Sequence, residues 1–412
     1  MRTAVLAVAV LIPFIVAAAP AAALAAQATP ADLPRVFLLD AKALAETRAR
    51  AAAGDKAVAQ AVENLRRAAD KSLKAGPFSV MDKKDLPPSH DRHDYMSLAP
   101  YWWPDPSKPD GKPYIRRDGE VHEGRGKYDN VPMDRMADAV IVLAQGWYFT
   151  RNEAYAERAA LLLRTWFLDE KTRMNPNLNY GQMVPGVSDG RGAGLIDTAD
   201  FINLVDAVGL LAGSRAWTAA DQKGLEAWFE KFLAWMQESE IGRAEARAGN
   251  NHGTWYDAQA ASYALFAGKT DVAKKILADS HKRIDKHIEP DGRQPAELAR
   301  TKSWDYSTMN LRGWCTVAAL AERAGVDLWT YESASGGAIR KALDYLLPYA
   351  TGETPWPHKQ IVKFQPDRLV VPMRYAAAHF SDKKYADALR NLAGDRTAGD
   401  WRDFLFGVRP PK

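Results

Sequence analysis

Thr218-Ala-Ala-Asp221-Gln-Lys-Gly-Leu225-Glu-Ala-Trp228-Phe229-Glu-Lys-Phe232-Leu233-Ala-Trp-Met236 is the stretch that decides the fold class. Leu225, Trp228, Phe229, Phe232, Leu233 and Met236 recur in steps of three and four, which makes one apolar stripe of a 3.6-period helix. Thr218 and Asp221 stand at the spacing of a capping box and start that helix. Outward from it the same character persists. Residues 134–149 are apolar almost all round, and 153–168 end in Leu163, Trp166 and Phe167. Further helices are expected near 255–267, 271–288, 313–324, 337–348, 373–380 and 383–393, and residues 40–74 are rich in good helix formers. Short turns followed by helix openings recur at Asn152-Glu-Ala-Tyr155-Ala156, Thr270-Asp271-Val272-Ala273 and Lys384-Tyr385-Ala386. No strand-like run exceeds Leu369-Val370-Val371. Helix pairs repeated without strands predict an all-α chain, a solenoid or toroid of antiparallel helix pairs. The exception is 81–132, where eight prolines and Tyr95, Tyr101, Trp102, Trp103 and Tyr114 exclude a regular helix. A loop this long in a compact protein is functional or disordered, and its aromatic load argues for function.

The chain has 412 residues, 47% apolar and 26% charged, which excludes a disordered or fibrous protein. With 55 basic and 51 acidic residues the charge is too balanced to indicate nucleic acid, and the excess of +4 is compatible with an acidic substrate. Arg2, an apolar run over 4–19, Pro20 and Ala23-Leu24-Ala25 read as an export signal cleaved after Ala25. The expectation is a periplasmic or secreted protein with no membrane attachment after cleavage, folded as one domain over 26–412. Cys315 is the only cysteine, so no intramolecular disulfide can form, and its setting reads as a buried thiol.

Three segments can carry chemistry. Gly249-Asn250-Asn251-His252-Gly253-Thr254-Trp255-Tyr256-Asp257 places two amides and an imidazole just before an expected helix. One Asn is explained as a cap, but the cap leaves His252 and Trp255 unexplained. The second segment runs from Glu297 through Arg300, Lys302, Trp304 and Asp305 to Tyr306 and Asn310. Arg300 and Tyr306 do not share a face of one helix, so a break around Ser303 is needed to aim both at one site. The third is Asn177-Leu-Asn179-Tyr180-Gly181-Gln182, continuing to Arg191 and Asp197. His90 and His93 sit in the Pro-rich loop, and His281 and His287 on what reads as an exposed helix face, so no metal and no cofactor are expected.

Asn, His, Arg and Tyr without a metal suit one reaction closely: β-elimination across C4–C5 of a 4-O-linked uronic acid. The C5 proton is scarcely acidic while the neighbouring carboxylate keeps its charge. An amide, Asn251 or Gln182, can bind the carboxyl group and favour the enolate-like intermediate, and such a donor is worth about 10²–10³ in rate. His252 or Tyr306 must take the C5 proton, and an acid must protonate O4. Arg300 beside Tyr306 would favour its phenolate. Tyr101, Trp102, Trp103 and Trp255 can stack on sugar faces, and Gln182, Arg191 and Asn250 can bind the polar edges.

Asn251-His252 followed by Arg300 and Tyr306 resembles the alginate lyase superfamily, in particular polysaccharide lyase family 5. The longer Asn-Asn-His-Gly-Thr-Trp-Tyr-Asp string and Tyr101-Trp102-Trp103-Pro104-Asp105-Pro106 resemble polysaccharide lyase family 38 more closely. The resemblance implies an (α/α) toroid or incomplete barrel with the Pro- and aromatic-rich loop over its cleft, and an alginate or glucuronan lyase. It implies Asn251 as charge neutraliser, His252 as base or its partner, Tyr306 as acid and Arg300 as auxiliary cation. Arg300 and Tyr306 stand one residue closer together than their counterparts in family 5. β-D-Mannuronate and β-D-glucuronate share configuration at C4 and C5, so these residues do not separate mannuronan from glucuronan. The acidic polysaccharide is the expected partner. Two other readings compete: a glycoside hydrolase using a pair from Asp94, Asp197, Glu297 and Asp305, and a non-catalytic polysaccharide-binding protein.

Overall fold

The computed structural model describes residues 33–394 and Trp401, so the export signal read in 1–25 lies outside the described residues. The helices are α1 (Ala41–Ala52), α2 (Lys56–Ser72), α3 (Asn130–Thr150), α4 (Glu153–Leu163), α5 (Phe201–Leu210), α6 (Ala219–Glu238), α7 (Glu240–Ala246) and α8 (Asn251–Phe266). They continue with α9 (Thr270–Asp279), α10 (His281–His287), α11 (Pro295–Leu298), α12 (Ser303–Arg323), α13 (Ile339–Thr351), α14 (Val370–His379) and α15 (Lys383–Ala393). Four short strands complete the set: β1 (Met96–Leu98), β2 (Trp102–Trp103), β3 (Ile115–Arg116) and β4 (Tyr180–Met183).

Side-chain caps set many of the helix starts. Thr218 and Asp221 form the reciprocal box that opens α6, and Asp40, Asp55, Asn152, Ser239, Asn250 and Asp382 cap α1, α2, α4, α7, α8 and α15. The stretch 40–74, rich in helix formers, forms two helices divided at Gly54, whose φ of +81° ends α1 while Asp55 caps α2. The one expected across 271–288 breaks at Ser280. Leu369-Val370-Val371 leads into α14 and is not a strand.

The helices build an incomplete (α/α) toroid, with no closed barrel among the described residues. At its centre α8 lies against α12, α5, α6 and α9, while α3 packs on α2, α4 and α5. Both α8 and α12 are buried along most of their length, which is why no amphipathic stripe marks where they begin. Gly313 lets them approach closely, since a Cβ there would stand 3.1 Å from Thr254 Cγ2 and 3.3 Å from the Trp255 ring. Phe167, in the turn that follows α4, interlocks edge-on or tilted with Phe201 of α5 and the Trp228, Phe229 and Phe232 cluster of α6. Each of the four phenylalanines, fully buried, contributes about 1.5–3 kcal/mol. His287 belongs to this interior: it is buried against Trp314 at 5.9 Å, not on the exposed face the sequence suggested.

The Pro-rich segment is ordered by pairing. β1 runs parallel to β4, and β2 pairs antiparallel with β3. Beneath them Lys83 Nζ lies 3.1 Å from Asp129 Oδ2, with both side chains 2% exposed. Burial raises the Asp129 carboxyl to about 6 and lowers the Lys83 ammonium, and each charge is tolerated because the other is there. Asp129→Ala should therefore cost about 3–5 kcal/mol in urea unfolding, because it strands Lys83 and the Met96 N–H. A loss under 1 kcal/mol would show that the pair is not a buried anchor.

Candidate active site

A hollow of about 380 Å³ opens where β2, β4, the start of α8 and the start of α12 converge. Asn250, Asn251, His252, Arg300, Tyr306, Tyr101, Trp102, Gln182 and Arg191 all line it. Trp103 and Trp255 do not. Trp103 donates its indole N–H to the Glu120 carbonyl and lies under Arg117, and Trp255 lies under Arg312 beside a separate cavity. Both rings lie against the chain's own cations, outside the hollow.

The amides and imidazole are set by the opening of α8. The Asn250 carbonyl oxygen of the side chain accepts the His252 N–H at 3.1 Å, so the cap itself aims the next two side chains. Asn251 donates its backbone N–H to Glu297 Oε1 at 2.6 Å and its amide Nδ2 to Oε2 at 2.7 Å. Burial raises the Glu297 carboxyl, and these two bonds oppose the shift. Gly253 has no room for a side chain: a Cβ would meet the Arg283 guanidinium and the Ala248 carbonyl. Arg283 is held by Asp257 at 2.8 Å and donates to the Ala246 and Ala248 carbonyls, which fastens the turn before His252. Gly253 and Asp257 thus serve the geometry of the motif.

Glu245, on α7, was not singled out by sequence. It is 3% exposed and its Oε1 lies 2.6 Å from His252 Nδ1. A carboxylate only accepts, so Nδ1 carries the proton and the neutral ring keeps a lone pair on Nε2. The residue lies seven positions before His252, across the α7–α8 corner, a separation with no periodic signature.

Tyr306 sits in the first turn of α12, and Arg300 precedes that helix. The chain breaks between them, after α11, as the six-residue spacing required. Arg300 Nη2 donates to the Tyr306 hydroxyl at 2.8 Å, its guanidinium lies 3.7 Å over the Tyr306 ring, and the Tyr306 hydroxyl donates to Tyr101 at 2.6 Å. Burial first, then Tyr101, pushes the Tyr306 phenol far above its ordinary range; Arg300 pulls down, as expected, without matching them. The phenol therefore keeps its proton at neutral pH.

Asp118, the second residue that sequence did not indicate, orients Arg300. It accepts from Arg300 Nη2 at 2.6 Å and Nε at 3.1 Å, and from the Thr301 N–H at 3.2 Å. Burial would raise this carboxyl, but the Arg300 and Thr301 bonds prevail and hold it well below the usual carboxylate range. Asp118→Ala should free the guanidinium and lower kcat by up to about 10²-fold. Steady-state kinetics beside a melting curve checks this; unchanged kcat would remove Asp118 from the site's support.

The floor of the hollow is β4. Gln182 holds a left-handed backbone, φ +49°, with its N–H on Ser97 Oγ at 2.7 Å. Its Nε2 donates to Asp197 at 3.1 Å and its Oε1 accepts from Arg191 at 2.7 Å. Charged neighbours therefore orient both candidate neutralisers, Gln182 through its oxygen and its nitrogen and Asn251 through its nitrogen, and each NH₂ keeps a second hydrogen. Arg191 Nε and Asn251 Oδ1 are buried at the pocket without a partner among the described residues.

The carboxylates named for a hydrolase do not face one another here. Asp94 accepts from Asn175 and Asn177, Asp197 from Tyr95 and Ser97, Glu297 from Asn251, and Asp305 from Gln360. None of the four lines the hollow, whose one carboxylate among the described residues is Glu245.

The model of the alginate lyase family matches residues 79–356 of the chain. The chain belongs to that family. It is accordingly a polysaccharide lyase. An alginate lyase from Bacteroides ovatus, solved as a crystal structure, is 39% identical and superposes with a TM-score of 0.88 over 92% of this chain and 100% of that one. Alginate lyase A1-III from Sphingomonas species A1, 15% identical with a TM-score of 0.54 over 85% of this chain and 95% of that one, shares the fold. A variant of A1-III complexed with a tetrasaccharide gives a TM-score of 0.57 at 15% identity, over 93% of this chain and 100% of that one. No curated protein sequence matches the chain.

Proposed function

We propose that this lyase cleaves a 4-O-linked uronate polymer, alginate of the mannuronate type or glucuronan, by β-elimination without a metal. The observation that carries the reading is the meeting of a proton-bearing phenol, an imidazole with a free Nε2 and two oriented amides in one cationic hollow. Asn251 and Gln182, with Arg191, bind the carboxyl group of the sugar to be cut and make C5–H acidic. His252 takes the C5 proton on Nε2, and Glu245 stabilises the imidazolium that forms. Tyr306 gives its proton to O4 as the C4–O4 bond breaks, and Arg300 stabilises the phenolate that remains. C5 loses its hydrogen, O4 gains one, and a C4–C5 double bond is left on the new end.

The 39% identity to the Bacteroides ovatus alginate lyase and the oligosaccharide in A1-III support a polysaccharide of this kind. With the export signal read in 1–25, the reaction takes place in the periplasm or outside the cell. The test is incubation with polymannuronate, glucuronan and mixed alginate while following the ultraviolet absorbance of the new double bond. A rise on at least one is expected; folded protein giving none on all three overturns the proposal. Reducing ends without that absorbance would restore the hydrolase reading.

A further inference from the structure

Beyond Tyr306 the hollow does not end. A second one, of about 470 Å³, adjoins it, and the two share Tyr101, Tyr306 and Met309 in their walls. Its floor is the next part of α12. That helix is buried from Tyr306 to Ala321 almost without interruption, and Arg312 is its exposed member. Tyr306, Met309 and Arg312 follow one another at three-residue steps, which places Arg312 about 9 Å along the axis from Tyr306. Lys302 reaches the same hollow from the turn before α12.

The charges there are unevenly satisfied. Asp305 accepts from Gln360 at 2.9 Å and lies 3.1 Å from Arg368, so the two acidic and basic side chains at that wall are already matched. Asp367 also lines the hollow. Arg312 and Lys302 have no carboxylate partner among the described residues. Each instead lies over an aromatic ring, Arg312 at 5.0 Å from the Trp255 centroid and Lys302 at 5.8 Å from that of Tyr101. An arginine held over a ring keeps its outer N–H groups for a planar anion, and stacking restricts the rotamers it would otherwise lose on binding.

Resting on the uronate reading of the neighbouring site, we infer that this second hollow is a subsite for a further uronate unit of the polymer, with Arg312 binding its carboxylate and Lys302 adding charge. The polymer carries one carboxylate on every sugar, so a unit next to the one being cut presents an anion to whatever lines its path. Arg312 touches neither of the groups that exchange protons, and its contribution is to hold the chain.

The consequence is a dependence on substrate length. Arg312→Ala should raise KM for polymannuronate and for its hexamer about fivefold to tenfold, with kcat within about twofold of the parent. The KM of the shortest oligomer that is cut should move by less than about twofold, and Arg312→Lys should recover most of the loss. Equal KM changes on short and long substrates, or none on either, would overturn the subsite. Retardation in a native gel containing polymannuronate reads the same interaction without turnover. There the parent protein is expected to be held back and Arg312→Ala to run ahead of it, and equal retardation would likewise overturn the subsite. A parent protein that is retarded but releases no double bond would instead count against the catalytic reading, leaving the subsite standing.

Discussion

Tyr306→Phe is expected to lower kcat by about 10²–10⁴-fold with little change in KM. The substitution removes one oxygen. That oxygen is the acceptor of the Arg300 Nη2 bond and the donor to Tyr101, and it is the acid of the proposed elimination. The ring itself stays, still 3.7 Å beneath the guanidinium, so the packing of α12 is kept. The stability cost should be about 1 kcal/mol, the worth of a typical hydrogen bond. A variant that melts near the parent and has lost turnover meets the expectation. Near-parental turnover would take the acid role from Tyr306, because the variant has no hydroxyl proton to give.

His252→Ala should be as severe, about 10²–10⁴-fold in kcat, through loss of the base. A more discriminating change is Glu245→Gln. The carboxylate forces the proton onto His252 Nδ1; an amide can instead donate to Nδ1 and leave the proton on Nε2, where it blocks proton abstraction. The shape is conserved and the tautomer is not, so a loss of about 10²-fold or more is expected without loss of fold. Assays of the two variants beside their melting curves check both. If Glu245→Gln were silent while His252→Ala was dead, the imidazole would act without the carboxylate's help.

The parts of this molecule that sequence revealed are those whose signal is local. The stripe of α6 and its capping box are local, and so is α15, which occupies 383–393 as the periodicity predicts. The starts of α8 and α12 were hidden because both are buried on nearly all sides, and a helix without a polar face has no phase to read. In consequence Asn251 and His252, expected just ahead of a helix, lie in its first turn. The chemical types Asn, His, Arg and Tyr were legible, and the fold brings all four to one hollow. Glu245 and Asp118 were not legible, because a carboxylate that orients another side chain looks like any surface acid until the chain has folded around it. The tryptophans were ambiguous for a related reason: an indole fits a sugar face and an arginine equally well, and at Trp103 and Trp255 the arginine is there.

The bonds that complete the hollow join distant parts of the chain. Arg300 to Asp118 spans 182 positions and Tyr306 to Tyr101 spans 205. Ordering so large a loop is entropically expensive and slow, and local contacts do not reward it along the way. A polypeptide emerging from the ribosome therefore has no active centre until residue 306 has been made and has found residue 101. The same connectivity means that the enzyme cannot be divided into an N-terminal and a C-terminal piece between these residues with either piece retaining a trace of activity; only their reassociation would restore it.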